Sequence, residues 1–133
     1  MSNREGEAIE SVVEMLSALA QARKAMRETE RDIRSALSKV DRGGDVASAL
    51  IDMHPEESRH KVNDSLVHLD HCRHDMRVKL FALALEGGMT VDELSGVWGI
   101  SLDLAARIAK EARGQGRQDR PGRPRRPDRP NRK

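Results

Sequence analysis

Apolar residues recur at alternating intervals of three and four along the first third of the chain, from about residue 5 to residue 40. That spacing predicts a long helix with one apolar stripe, as in a helical hairpin or a coiled coil. Arg23 and Glu30 interrupt the stripe, and polar residues at such positions help to set register and oligomeric state. The apolar members are Ile9, Val12, Leu16, Leu19, Met26, Ile33, Leu37 and Val40.

A second long helix is predicted after a short break. Residues 42–45, Arg-Gly-Gly-Asp, suit the end of the first helix and the start of a short one from Asp45 to Met53. Pro55 favours the first turn of the next helix, which extends to Glu86. Both long helices have narrow stripes, so we expect a homodimer with a four-helix core, although a hairpin within one chain also fits. The second stripe comprises Val62, Leu66, Leu69, Arg73, Met76, Leu80 and Leu83.

Residues 87–113 predict two further helices joined by a tight turn. Thr90 and Glu93 have the spacing of a capping box, which marks the start of a short helix. Gly99 suits the left-handed conformation that ends this helix. Ser101 then suits the cap of the following helix.

The chain therefore divides into three predicted regions. Residues 1–86 form a helical dimerisation region, residues 87–113 form the helix pair, and residues 114–133 form an Arg/Pro-rich tail. The dimerisation region becomes more apolar at residues 81–85, so we expect its end to support the helix pair, with Trp98 in the junction.

The helix pair resembles the helix-turn-helix superfamily, especially small bacterial regulators and the promoter-reading domain of sigma factors, over about a fifth of the chain. The resemblance rests on Ser95 where the helices approach, Gly99 in the turn, the pair Ile100-Ser101, and Ala105 and Ile108 as buried positions. It implies that the second helix enters the DNA major groove. Residues 87–113 contain three cations and four anions, so we expect weak DNA binding by this region alone. The implied contact residues are Ser101, Leu102, Asp103, Ala106, Arg107 and Lys110.

Positive charge is concentrated in the tail. The net charge is +2, but residues 114–133 carry +6, which leaves −4 for the rest of the chain. Arg recurs there every third residue, which in a polyproline II helix places guanidinium groups roughly 9 Å apart along one edge. We predict a disordered tail that contacts a polyanion, and residues 121–124, Pro-Gly-Arg-Pro, resemble an AT-hook, which implies minor-groove contact. The predicted contacts are Arg113, Arg117, Arg120, Arg123, Arg125, Arg126, Arg129, Arg132 and Lys133.

Composition is consistent with an elongated all-α protein. Charged residues make up 35% of the chain and aromatic residues 2%, so narrow helical contacts are expected rather than a broad core. The single Cys72 cannot form an intrachain disulfide, in keeping with a reducing compartment. The N-terminus lacks the apolar core of a signal peptide, and no apolar run is long enough to cross a bilayer. We expect a cytoplasmic, nucleoid-associated protein without membrane contact.

One cluster of residues has the composition of a metal site. His68, His71, Cys72 and His74 lie within two helical turns, but their pairs point in different directions, so we predict neither a metal nor another cofactor. The chain also lacks a phosphate-binding loop and a nucleophile with an evident base, so an enzyme is not predicted.

The sequence therefore favours a protein that binds double-stranded DNA as a homodimer, either as a transcriptional regulator or as a nucleoid-associated protein. The alternative is a helical adaptor that binds another protein of the transcription machinery, with a degenerate helix-turn-helix. RNA binding through the tail is a third hypothesis, because a cationic arm does not choose between polyanions.

Overall fold

The structure, a computed structural model, describes residues 3–118 and the side chains of residues 3–114. The predicted all-α fold is confirmed: in this part of the chain the regular elements are all helices. None of the helices within residues 3–118 has both the length and the apolar character needed to cross a membrane. The helices are α1 (Asn3–Asp41), α2 (Val46–Met53), α3 (Pro55–Glu86), α4 (Val91–Trp98) and α5 (Leu102–Gln118).

Helices α1 and α3 form an antiparallel hairpin. The N-terminus of α1 meets the C-terminus of α3 at an ion pair of 3.3 Å between Arg4 and Glu86. Farther along, the Ser58 hydroxyl donates to Asp32 at 3.4 Å. The buried residues of α1 are small, which lets the two backbones approach closely but contributes little apolar area. We call them the inner seam: Ala8, Ser11, Ala18, Ala22 and Ala25.

The apolar stripe predicted for α1 does not form the hairpin contact. Its large side chains lie one residue after the inner seam, rotated by about 100° around the helix, and several are half exposed or more. A similar shift occurs on α3, where Cys72 is buried while Leu66 and Arg73 are exposed. Leu66 and Arg73, which belong to the second predicted stripe, are therefore not part of the contact between α1 and α3. The cause is that Ala, Ser and Cys fill the close contact better than Leu or Arg.

Helix α2 lies at the end of the hairpin where α1 leads into α3. Its N-cap is Asp45, which accepts a hydrogen bond from the Ser48 amide at 3.3 Å, as the sequence predicted. Lys39 of α1 donates to Asp52 of α2 at 2.9 Å. That hydrogen bond, together with the positive charge of Lys39, lowers the pKa of the Asp52 carboxyl. His54 then adopts a left-handed conformation, with φ of 50°, before Pro55 begins α3.

The end of α3 contributes to a second core with α4 and α5. We call this assembly, from Val78 onward, the three-helix unit. Phe81 is fully buried, and its ring centroid lies 6.0 Å from that of Trp98, which the sequence placed in this junction. Two short helices cannot bury enough apolar surface alone, so the end of α3 completes the core. The buried members are Val78, Phe81, Leu94, Ala105, Ile108, Ala109 and Ala112.

Local capping signals set the bounds of α4 and the start of α5. The Thr90 hydroxyl accepts from the Glu93 amide, while the Glu93 carboxylate accepts from the Thr90 amide, each at 3.2 Å. Gly99 has φ of 63°, and the amide of Ile100 donates back to Ser95 at 3.2 Å. The Ser101 hydroxyl then accepts from the amide of Leu104 at 3.1 Å. These contacts agree with the capping box and the turn read from the sequence.

Helix α5 extends beyond the predicted start of the tail. The sequence placed that start at Gly114, whereas α5 continues to Gln118. Glycine weakens a helix by only about 1 kcal/mol, whereas proline costs about 3 kcal/mol, and the first proline after Gly114 is Pro121.

The buried Cys72 generates a prediction about thiol reactivity. Burial, with smaller contributions from Glu14 and Asp75, raises the pKa of the Cys72 thiol. In the folded protein, Ellman's reagent at pH 8 should therefore react much more slowly than in urea. Because the folded thiol has the higher pKa, the free energy of unfolding should fall as the pH rises above about 8.5. Cys72→Ala should lack this part of the pH dependence, and equal thiol reactivity in both states would contradict the burial.

The turn between α4 and α5 generates a second prediction. Gly99→Ala should destabilise the protein by about 1–2 kcal/mol because alanine disfavours a positive φ. Gly96→Ala is the matched control, since an added methyl at either glycine meets no atom within 4 Å and Gly96 lies inside α4. That control should stabilise by up to about 1 kcal/mol. Urea unfolding followed by circular dichroism measures both changes, and similar effects at the two sites would contradict this account.

Candidate nucleic-acid interface

Helix α5 is held by one face and exposes the other. Its buried face packs against α3 and α4, which leaves half of the helix surface open from its first turn to Arg113. At 17 residues the helix is about 25 Å long, which is sufficient to lie along a major groove. The structure brings together the predicted contact residues on this exposed half, and they are Ser101, Leu102, Asp103, Ala106, Arg107, Lys110 and Arg113.

A side-chain hydrogen bond that the sequence does not predict holds the turn before α5. The Ser95 hydroxyl, expected only to be a small group between two helices, donates to the carbonyl oxygen of Ile100 at 2.7 Å. Ile100 itself packs against the core of the three-helix unit. These two contacts orient the first turn of α5, where Ser101 and Leu102 are exposed.

The cations and the carboxylates of the three-helix unit differ in their contacts with other described groups. Arg107, Lys110 and Arg113 lie on the exposed half of α5, and none of them forms an ion pair with another described side chain. By contrast, Glu111 binds His74 of α3, with its Oε2 atom 2.9 Å from Nε2 of the imidazole. Glu93 is occupied by the cap of α4.

The outward face of α5 is therefore more positive than the unit as a whole. Asp103 is the acidic residue among the predicted contacts, and it lies in the first turn of the helix, where the helix dipole stabilises a negative charge. The excess of anions counted over residues 87–113 does not describe this face, because Glu93 and Glu111 point their carboxylates at Thr90 and His74.

The contact between His74 and Glu111 links the hairpin to α5. The two residues are 37 positions apart, so no local pattern in the sequence could have indicated the pair. The sequence groups His74 with His68, His71 and Cys72 and does not indicate Glu111 as its partner. In the structure the imidazole of His74 joins α3 to α5 by a hydrogen bond at the edge of their shared core.

The other members of that cluster are separated. Nε2 of His68 lies 3.7 Å from Sγ of Cys72, which is buried, whereas His71 is exposed. Within residues 3–118, no three His, Cys, Asp or Glu residues are grouped closely enough to hold a metal ion.

Most of the predicted tail contacts follow the end of α5 in the sequence. Arg117 lies in α5. The others, Arg120, Arg123, Arg125, Arg126, Arg129, Arg132 and Lys133, lie outside the described residues.

Comparison with known proteins does not assign this chain to a family. No protein-family model matches the chain, and neither the curated proteins nor the solved structures contain a significant match. The function is therefore inferred from the residues and their arrangement alone.

Proposed function

We propose that this protein binds double-stranded DNA, with the exposed half of α5 in the major groove and the Arg/Pro tail on the phosphates. The observation that carries the proposal is a row of cations on α5 that no other described side chain neutralises, Arg107, Lys110 and Arg113, after the turn that orients the start of the helix. Cations that are not neutralised within the protein attract the phosphate backbone, while side chains near the start of the helix are placed to meet base edges.

The first two turns of α5 suggest how bases would be distinguished. Leu102 and Ala106 are exposed apolar groups, which suit contact with the methyl group of thymine. Asp103 is suited to accept a hydrogen bond from the amino group of cytosine, and Arg107 to donate two hydrogen bonds to guanine. Lys110 and Arg113 lie farther along the helix and suit phosphates.

The tail would supply most of the affinity. Residues 119–133 carry seven cations and two anions, a larger excess of positive charge than the exposed half of α5. A homodimer would join two weak units and two tails, so that avidity adds to both. The biological role would be transcriptional regulation or organisation of the nucleoid.

Replacing Arg107 and Lys110 by alanine tests the role of α5. The duplex is first selected from a randomised library with the unaltered protein, and binding is then measured by fluorescence anisotropy. We expect the loss of Arg107 to cost about 1–3 kcal/mol on the selected duplex and the loss of Lys110 to weaken binding to all duplexes, so that selected and random duplexes are bound more nearly alike.

The matched control for this test is the pair Lys24→Ala and Arg31→Ala, which removes the same charge from exposed positions of α1. It should lower affinity slightly for all duplexes and preserve the preference. If the α5 variant keeps its full sequence preference, α5 does not read DNA, and loss of a protein partner instead would favour the adaptor hypothesis.

Truncation after Gln118 tests the tail while keeping α5 intact. The truncation removes a net charge of +5. Each neutralised phosphate contributes about 0.9 to the slope of log K against log salt concentration, so the slope should fall by several units and affinity at low salt should drop sharply. A full-length control with serine at the seven cationic positions after Gln118 should behave like the truncation. Unchanged affinity and slope would remove the tail from the proposal.

A further inference from the structure

The apolar stripe of α1 is mostly exposed among the described residues of the chain, with Val12 and Val40 half-buried. We call it the outer stripe: Ile9, Val12, Leu16, Leu19, Arg23, Met26, Glu30, Ile33, Leu37 and Val40. Leu16 and Leu37 are each 60% exposed, and Ile9 is 54% exposed. The stripe spans about 48 Å of helix, and a single chain rarely leaves so long an apolar surface in water. Its strict heptad spacing over more than four heptads is that of a coiled-coil interface.

The spacing of the outer stripe is symmetric about its centre. In an antiparallel pair of identical helices, each a position packs against a d position of the partner. If the two-fold axis passes between residues 24 and 25, Ile9 meets Val40 of the partner subunit, and Leu16 meets Ile33 of the partner subunit. In this register each of the ten positions lies opposite a position of the partner's outer stripe. The layers at both ends of the interface contain only apolar residues.

The two charged positions favour this antiparallel pairing. A parallel pair in register would place Arg23 against Arg23 of the partner subunit, and would likewise oppose the two Glu30 side chains. The antiparallel register instead puts Arg23 one layer from Glu30 of the partner subunit, on both sides of the axis. Arg34 of the same chain engages only the Oε1 atom of Glu30, which leaves Oε2 for the partner.

Helix α3 has an exposed apolar residue, Leu66, level with the centre of the outer stripe. The contacts of Arg4 with Glu86 and of Ser58 with Asp32 place residue 24 of α1 level with residue 66 of α3. Leu66 is 40% exposed and, like the outer stripe, follows the packed positions by one residue, so it faces the same side of the hairpin. A groove on this side, lined by Ile33, Val62 and Asn63, shows that both helices border it.

We propose that the outer stripe is the binding surface for a second copy of this chain, paired antiparallel about a two-fold axis between residues 24 and 25. The two hairpins then form a four-helix core in which Leu66 meets Leu66 of the partner subunit. This inference rests on the homodimer included in the proposed function, but not on DNA binding.

The arrangement places the two three-helix units at opposite ends of the dimer. Each α1 begins beside the end of α3, as the Arg4–Glu86 contact shows, and Arg4 lies about 31 Å from the axis. The units would be separated by at least about 60 Å. If they bind DNA, their half-sites would be closer to two helical turns apart than to one.

Spin labels on single cysteines test the orientation in the full-length chain. Glu10→Cys and Gln21→Cys are introduced separately into a Cys72→Ala background, at exposed positions of α1 that lie away from the outer stripe. In the antiparallel dimer the labels at residue 10 should lie about 44 Å apart along the axis, and those at residue 21 about 10 Å apart. A parallel dimer in register would give both pairs a similar separation, with no offset along the axis, and that result would overturn the orientation.

Light scattering on the unlabelled protein tests the surface itself. Leu16→Glu should convert a dimer to a monomer without loss of helix content, because Leu16 lies outside the packed core. Val67→Glu is the control, since Val67 is 71% exposed on α3 but lies off this face, and it should stay dimeric. A dimeric Leu16→Glu variant, or a monomeric unaltered protein, would overturn the inference. Either result leaves the α5 binding assay to judge DNA binding separately.

Discussion

The burial of Phe81 is the contact on which the rest of the structure depends. Phe81 lies at the end of α3, and its ring is fully enclosed between the hairpin helix and the pair α4 and α5. Because α4 and α5 are too small to build a core alone, they depend on the end of α3, which contributes Val78 and Phe81 to the shared core. One continuous helix therefore serves both the hairpin and the exposed face of α5.

The hairpin uses small residues where a larger core would be expected. The alanines of the inner seam permit close packing, yet each buries far less apolar surface than Leu or Ile would. The larger side chains of α1 face outward instead. This division gives one helix two functions, because the small residues hold the chain together and the large ones are available to another chain.

The charged residues of the three-helix unit are likewise divided between contacts within the protein and exposed positions. Carboxylates in the three-helix unit are used within the protein, as in the cap formed by Glu93 and the contact of Glu111 with His74. The cations at Arg107 and Lys110 are exposed. A net charge counted over the whole segment hides this difference, since electrostatic attraction for a polyanion depends on the face that meets it.

Local residues by themselves determined where α2, α4 and α5 begin. The caps formed by Asp45, by Thr90 with Glu93, and by Ser101 involve residues only a few positions apart, so their geometry could be read from the sequence. The exposed residues of α5 were predictable for a related reason: the positions of Ala105 and Ile108 in the motif indicate its buried face, and the remaining positions follow from the helical period.

Only the tertiary structure decided which stripe of α1 is buried within the chain. Ala8, Ala18 and Ala22 repeat at the same helical spacing as Ile9 and Leu19, and hydrophobicity favours the larger residues. The choice depends on how closely α3 approaches, a distance set by residues some fifty positions away in sequence. The pairing of His74 with Glu111 was hidden for the same reason, because contacts between distant residues leave no period in the sequence.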